Sequence, residues 1–350
     1  PNPIMNIFPH KLIRVAAITL LSIVTSLSSG QDPDVETTMI WNKGSHNAFT
    51  DLIRFKSAFY CTFREGNSHV PKNASENGSI RIIRSHDGIN WEPVALLTDP
   101  RYDLRDPKLS VMPDGRLMVI MGGSDYSSGK LSGMVPHVSF SADGMDFSKP
   151  SSVTITDGEG LGFDWIWRVT WKGKTGYGVD YQSGSISPGN GLKLLKTFDG
   201  ISWEKVASFN IEPLPNEATI RFDKNGSMMI LLRREAGATG MLGISQTPYK
   251  NWKWTELDYR LGGPDFLVMK KNALLIGTRL YGPSSNSTVL YVTDKDGTIK
   301  KTVRLPSGGD TSYPGLLIHK KHLMVSYYSS HEGKSSVYIA RLKIKDLIPE

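Results

Sequence analysis

Beyond Asp34 the chain is a succession of short, β-prone apolar runs separated by Gly, Pro, Asn and Asp. No stretch keeps a helical period over three turns, so the pattern predicts an all-β protein. The runs group into a recurring unit: inner strand, tight turn, apolar strand, long loop, third strand, Asp-Gly turn, fourth strand. Six such units can be traced. The first runs from His46 to Leu97, and the second starts at Arg105-Asp106-Pro107. The third starts near Trp165 and closes at Val206, and the fourth starts at Asn216-Glu217-Ala218-Thr219. The fifth starts at Gly263-Pro264-Asp265, and the sixth runs from Asp310-Thr311-Ser312-Tyr313 to Arg341. Four-stranded antiparallel units of about 45–55 residues predict a six-bladed β-propeller. Met39-Ile40-Trp41 is the strand expected to complete the sixth unit and close the ring, which hides sheet edges.

One turn sets the register. Ser85-His86-Asp87-Gly88-Ile89-Asn90-Trp91 returns from Ser141 to Phe147 and from Thr197 to Trp203, a constant step of 56 residues. Asp-Gly between apolar runs is a strong hairpin signal, and the Ser/Thr and Asp side chains can bond backbone N–H groups inside the turn. In the fourth unit this turn decays to Ser245-Gln246-Thr247-Pro248, and in the fifth it is Thr293-Asp294-Lys295-Asp296-Gly297. Asp294 and Asp296 are read as that turn rather than as a cation loop, and no metal or cofactor is expected.

Composition narrows the classes. The 34 Gly and 20 Pro suit a turn-rich globular fold, and the net charge of +7 is spread without a long basic run. Nucleic acid is therefore excluded as a partner, while an acidic substrate fits. Residues 1–30 read as a signal peptide: Lys11 and Arg14 precede an apolar stretch, Val15 to Leu27, with Ser28 and Gly30 before the cleavage point. Translation is expected to start at Met5, leaving residues 1–4 upstream of the natural start. Residues 31–350 then form one domain, secreted or periplasmic, monomeric and without a transmembrane anchor. Cys61 is the only cysteine and belongs to an apolar strand.

In a propeller, ligands bind at one mouth of the channel, faced by the starts of inner strands and the ends of second strands. Counting seven residues from Ser57, Gly226 and Asn272 reaches Arg64, Arg233 and Arg279. Three guanidiniums would clamp a carboxylate or sulfate, and pairing with Glu65 and Glu235 is the alternative. Glu217 and Tyr313 hold matching positions on the fourth and sixth units. A phenol becomes a nucleophile when a carboxylate can take its proton; a buried, hydrogen-bonded core tyrosine is the alternative.

These features resemble the sialidase (neuraminidase) superfamily, whose six-bladed propellers carry such Asp-box turns. The resemblance spans roughly residues 35–345. Asn216-Glu217 followed by Arg233 looks like the family's Asn-Glu and second clamp arginine, and Arg279 looks like the third. Tyr313-Pro314-Gly315-Leu316 looks like the segment holding the tyrosine nucleophile. The resemblance thus implies a glycosidase in which Glu217 activates Tyr313. Two positions depart from the family. Ala48-Phe49-Thr50-Asp51-Leu52 stands where the family has Arg-Ile-Pro, leaving Arg64 as a compensating arginine. Glu65-Gly66-Asn67-Ser68-His69-Val70 lacks the aspartate general acid, leaving His69, Glu65 or Asp51 as donors. The expected substrate widens accordingly from sialic acid to other carboxylated or sulfated terminal sugars of a glycan or glycoconjugate. Arg105, Asp106, Asp164, Trp165, Trp167 and Arg168 are further expected lining residues. Two other classes stay open: a non-catalytic glycan- or protein-binding propeller, and a hydrolase or lyase of acidic polysaccharides using His69 or His331.

Overall fold

The computed structural model describes residues 33–156, 162–182, 191–270 and 273–347. The signal-peptide expectation lies outside the described residues. Six antiparallel sheets form the blades of a β-propeller. Blade 1 is His46–Phe55, Ala58–Gly66, Ser79–Ser85 and Glu92–Leu97. Blade 2 is Tyr102–Val111, Leu117–Asp125, Gly133–Ser141 and the short Ser151–Ser152. Blade 4 is Pro215–Phe222, Met228–Arg234, Met241–Ser245 and Trp252–Glu256. Blade 5 is Asp265–Val268, Leu274–Leu280, Ser287–Thr293 and Ile299–Arg304.

Blade 6 is Thr311–His319, His322–Ser329 and Ser336–Lys343, and its outer strand is Glu36–Trp41 from the start of the domain. Thr38 pairs with Ile339 and Trp41 with Val337, so the expected closure strand is the one used. Blade 3 is irregular. Its inner strand is split into Asp164–Ile166 and Thr170–Lys172, and Thr154–Ile155 adds a parallel strand outside Ser202–Phe209.

Each interface between consecutive blades holds its own apolar cluster, because alternating side chains face opposite neighbours. Ile80 and Ile82 of blade 1 meet Leu117 and Val119 of blade 2, and Leu290 of blade 5 meets Leu323 and Val325 of blade 6. The Asp-box aromatics plug these seams: Trp91 between blades 6 and 1, Phe147 between 1 and 2, and Trp203 between 2 and 3. Within the first box, Asp87 Oδ1 accepts from the Ile89 and Asn90 N–H groups at 2.8 Å each, and Ser85 Oγ accepts from Gly88 N. Glycine is required for two reasons, shown at Gly144. Its φ is +83°, and a Cβ there would lie 2.2 Å from the Tyr60 hydroxyl of the preceding blade. In blade 5, Asp294 Oδ1 accepts from the Asp296 and Thr298 N–H groups, as a turn requires, and Lys300 pairs with Oδ2.

Four inner strands share a feature that positions the site. In blades 1, 2, 4 and 6 the ladder slips so that two inner-strand residues oppose one residue of the second strand. The extra pairs are Phe49-Thr50, Asp106-Pro107, Asn216-Glu217 and Tyr313-Pro314. Phe49, Asp106 and Tyr313 adopt positive φ of 63°, 50° and 53°. Proline suits the second bulge position, where no ladder N–H is needed. The bulge re-aims its side chains, which in blades 2, 4 and 6 are led by Asp106, Asn216-Glu217 and Tyr313.

Candidate active site

The centre of the mouth is a contact between blades 4 and 6. The Tyr313 hydroxyl donates to Glu217 Oε1 at 2.5 Å. Arg233 Nη1 lies 2.8 Å from the same oxygen and 3.1 Å from the Tyr313 oxygen. The other carboxylate oxygen accepts from Gly263 N at 2.7 Å. A Cβ on Gly263 would lie 2.4 Å from the Tyr313 ring, and its φ is +59°, so only glycine lets the backbone approach both residues. Burial pushes Glu217 up, but the Arg233 charge and the bonds from Arg233, Tyr313 and Gly263 outweigh it and hold the carboxyl below its usual range. Burial and the Glu217 charge raise the Tyr313 phenol well above its ordinary value, against Arg233 and Arg279. The proton therefore rests on Tyr313 beside an ionised acceptor, an arrangement that can activate a phenol as a nucleophile.

Arg279 reaches the mouth from blade 5. Its guanidinium carbon lies 5.4 Å from the Tyr313 ring centre, and Nη2 donates to the Tyr328 hydroxyl at 3.0 Å. Tyr328 in turn donates to Asp310 Oδ1 at 2.8 Å. The other Asp310 oxygen, Oδ2, meets His46 Nε2 and His69 Nδ1, each at 3.0 Å. These three donors lie within 4.8 Å of one another, and among the described residues they are the group that could hold a metal ion. In the tautomers with His46 Nε2–H and His69 Nδ1–H, both imidazoles donate to this one carboxylate oxygen. Burial opposes it, but the two histidine hydrogen bonds hold the Asp310 carboxyl far below its usual range.

Several expected site residues are placed elsewhere. Arg64 is fully buried, pairing with Asp103 at 2.6 Å and donating to the Ser68 carbonyl at 2.7 Å. It supports the base of the loop that carries His69 and does not face the mouth. The seven-residue count treated all hairpins as equal, and in fact Arg64 opposes Ala48 while Arg233 opposes the bulge. Asp51 and Arg168 bind each other: Arg168 Nη1 lies 2.9 and 3.1 Å from the two Asp51 oxygens, and Asp51 also accepts from Leu109 N. Both are buried, so neither is free to bind substrate or donate a proton. Together with Asp265 and Arg221 they form an ionic layer of the central channel. Glu65 pairs with Arg81 and accepts from Trp41 Nε1. His331 bonds Ser329 Oγ.

Arg105 does reach the mouth, where it donates to the His69 carbonyl at 2.6 Å and lies over the Phe49 ring. Its ionic contact is with Asp103 rather than within the Arg-Asp-Pro turn. His69 is half exposed at the rim. Trp165 and Trp167 belong to a buried cluster with Phe49, Tyr313 and Tyr328. Asp164 accepts from Gln182 Nε2 at 3.2 Å.

Phe49, His46 and Asp310 were not among the expected site residues, and Asp106 was expected only as a lining residue. Phe49 packs on Tyr313, ring centres 4.9 Å apart. A signal for Asp106 was available: in Asp106-Pro107, as in Tyr313-Pro314, a proline follows the residue at the first bulge position of the inner strand.

No family model matches the chain, and no curated protein matches it. Solved structures do. A protein of unknown function from Dyadobacter fermentans superposes with a TM-score of 0.75 at 19% identity, covering 88% of this chain and 99% of its own. The NanB sialidase of Streptococcus pneumoniae gives 0.66 at 13% identity, covering 88% and 71%. The α-L-arabinanase of Penicillium chrysogenum gives 0.67 at 15% identity, covering 89% and 99%. At these identities the likeness is one of fold, that of the sialidase-like six-bladed propellers.

Proposed function

We propose that this chain is an exported glycoside hydrolase that removes an acidic, non-reducing terminal sugar by exo cleavage. The observation that carries it is the Tyr313–Glu217 hydrogen bond of 2.5 Å, with Arg233 on both oxygens. Tyr313 attacks the anomeric carbon while Glu217 takes the phenolic proton, so a poor nucleophile acts only as charge moves onto the sugar. Water then releases the sugar from the glycosyl-tyrosine.

Arg233 and Arg279 hold the acidic group. With phenylalanine at position 49 and Arg64 buried, the clamp has two guanidiniums rather than three. That favours a carboxylated or sulfated sugar and makes sialic acid one candidate among several. Glycosidases among proteins of the same fold support the class of reaction. The test is a panel of acidic glycans, sialosides included, offered to the purified protein and to Tyr313→Phe. Release of a terminal acidic sugar by the wild type alone supports the reading. Equal turnover by the variant sinks the tyrosine mechanism.

A further inference from the structure

The reaction needs a proton for the leaving group, and the loop from Glu65 to Val70 carries no aspartate. Glu65 faces Trp41 and Arg81, and His69 Nδ1 is held by Asp310 at the rim. Asp106 stands differently. It occupies the bulge position of blade 2 that Tyr313 occupies in blade 6, with the same left-handed backbone. Propeller symmetry therefore turns both side chains toward the same axis. Glu217 comes from the bulge of blade 4, so the three groups sit on alternate blades around one centre. Such backbone strain persists only where the surroundings enforce it.

Asp106 is 9% exposed, and its Oδ1 is buried without a hydrogen-bond partner. An unpartnered buried carboxyl oxygen is costly and calls for an explanation. We propose that Asp106 is the proton donor to the leaving group, and in the second half-reaction the base toward water. The proposal rests on the tyrosine-nucleophile reading. In the first half, the Tyr313 oxygen bonds the anomeric carbon, Glu217 takes the phenolic proton, and the bond to the aglycone breaks. The Asp106 proton goes to the departing oxygen. In the second half, Asp106 takes a proton from water as the water oxygen bonds the anomeric carbon, and Tyr313 leaves, recovering its proton from Glu217.

The surroundings suit the role. Asp106 is faced by Arg105 and Lys108 of its own strand, Glu217 of blade 4, and His69 of the rim loop; Tyr313 and Tyr181 feel its charge. Burial, aided by Glu217, pushes its carboxyl up to about 6 against the two cations and His69. A donor of this kind is protonated below that pH and loses its proton above it, so turnover should fall as pH rises through about 6.

The experiment compares one acidic glycoside carrying either a 4-nitrophenyl or a sugar aglycone. Asp106→Asn, checked for folding by circular dichroism, should lose about 10²- to 10⁴-fold in kcat/KM on the sugar aglycone. On 4-nitrophenol, which leaves without a proton, it should lose under about tenfold in the first half-reaction, read as a burst. The basic limb of the pH profile should vanish in that variant and persist in His69→Gln. In Asp106→Ala, azide should restore turnover and give the glycosyl azide. Equal losses on both aglycones, or a basic limb that follows His69, would overturn the assignment while leaving the nucleophile intact. A wild type inactive on every acidic glycoside would remove the glycosidase reading itself, and the Asp106 assignment with it.

Discussion

The Tyr313 hydroxyl donates to Glu217 over 2.5 Å although 96 positions of sequence separate them. Two blades must be in place before the pair exists, so the contact reports on the closed propeller as well as on chemistry. Tyr313→Phe removes the hydroxyl and leaves Glu217 paired with Arg233 and Gly263. Its fold should survive, and the ligand Kd should stay within about threefold. Turnover should fall by at least about 10³-fold, as for loss of other covalent nucleophiles. Calorimetric binding of the product sugar, measured beside steady-state kinetics, separates the two effects.

Two arginines, alike in the sequence count, should behave oppositely. Arg279→Ala loses a charge at the mouth, and KM for the acidic substrate should rise about 10- to 100-fold, the size of one charged hydrogen bond. Arg64→Ala takes from the buried Asp103 carboxylate its closest charge partner, leaving Arg105 at 3.6 Å and the Gly78 N–H. It should cost about 3–5 kcal/mol of stability, read by urea unfolding. An Arg64→Ala protein of normal stability with a raised KM would return that residue to the substrate site.

The fold was legible because its signals are local and repeated. Three Asp boxes at one spacing fixed the blade register, and Met39-Ile40-Trp41 was left over with only one sheet to finish. Glu217 and Tyr313 were legible because each stands at the start of an inner strand. Partners were not legible. Nothing in the run around Arg64 announces Asp103, which sits in the inner strand of the next blade, and Asp51 finds Arg168 only after the ring closes. Bulges escape an alternation-based reading because one added residue looks like noise in a period of two. The re-aimed position of Asp106 escaped notice for that reason.

Asp51 and Arg168 should couple in stability rather than catalysis. Asp51→Ala leaves Arg168 with Asp265 at 3.5 Å, Arg168→Ala leaves Asp51 with the Leu109 N–H, and each single change should cost about 3–5 kcal/mol. The double variant should cost less than the sum, because it removes both charges together. Denaturant midpoints of the four proteins complete the cycle. Additive losses would mean that Asp265 and Leu109 N–H, not the mutual pair, carry the effect.

The Asp boxes give the fold an acid-sensitive element. Asp143 Oδ1 accepts from the Met145 and Asp146 N–H groups and from Ser141 Oγ. The bonds from Asp146 and Met145, in that order, lower its carboxyl from 3.8 to about 2. A group whose folded pKa is depressed stabilises the fold above its unfolded pKa and loses that contribution as pH falls through the folded one. The window here runs from about 4 down to about 2. Asp143→Ala should therefore be less stable than wild type at neutral pH, and the electrostatic part of the difference should shrink across that window. Urea midpoints of the two proteins, taken at steps from about pH 7 to about pH 2, check it. A gap that stays constant with pH would show that Asp143 acts through shape alone, with its charge contributing nothing to the turn.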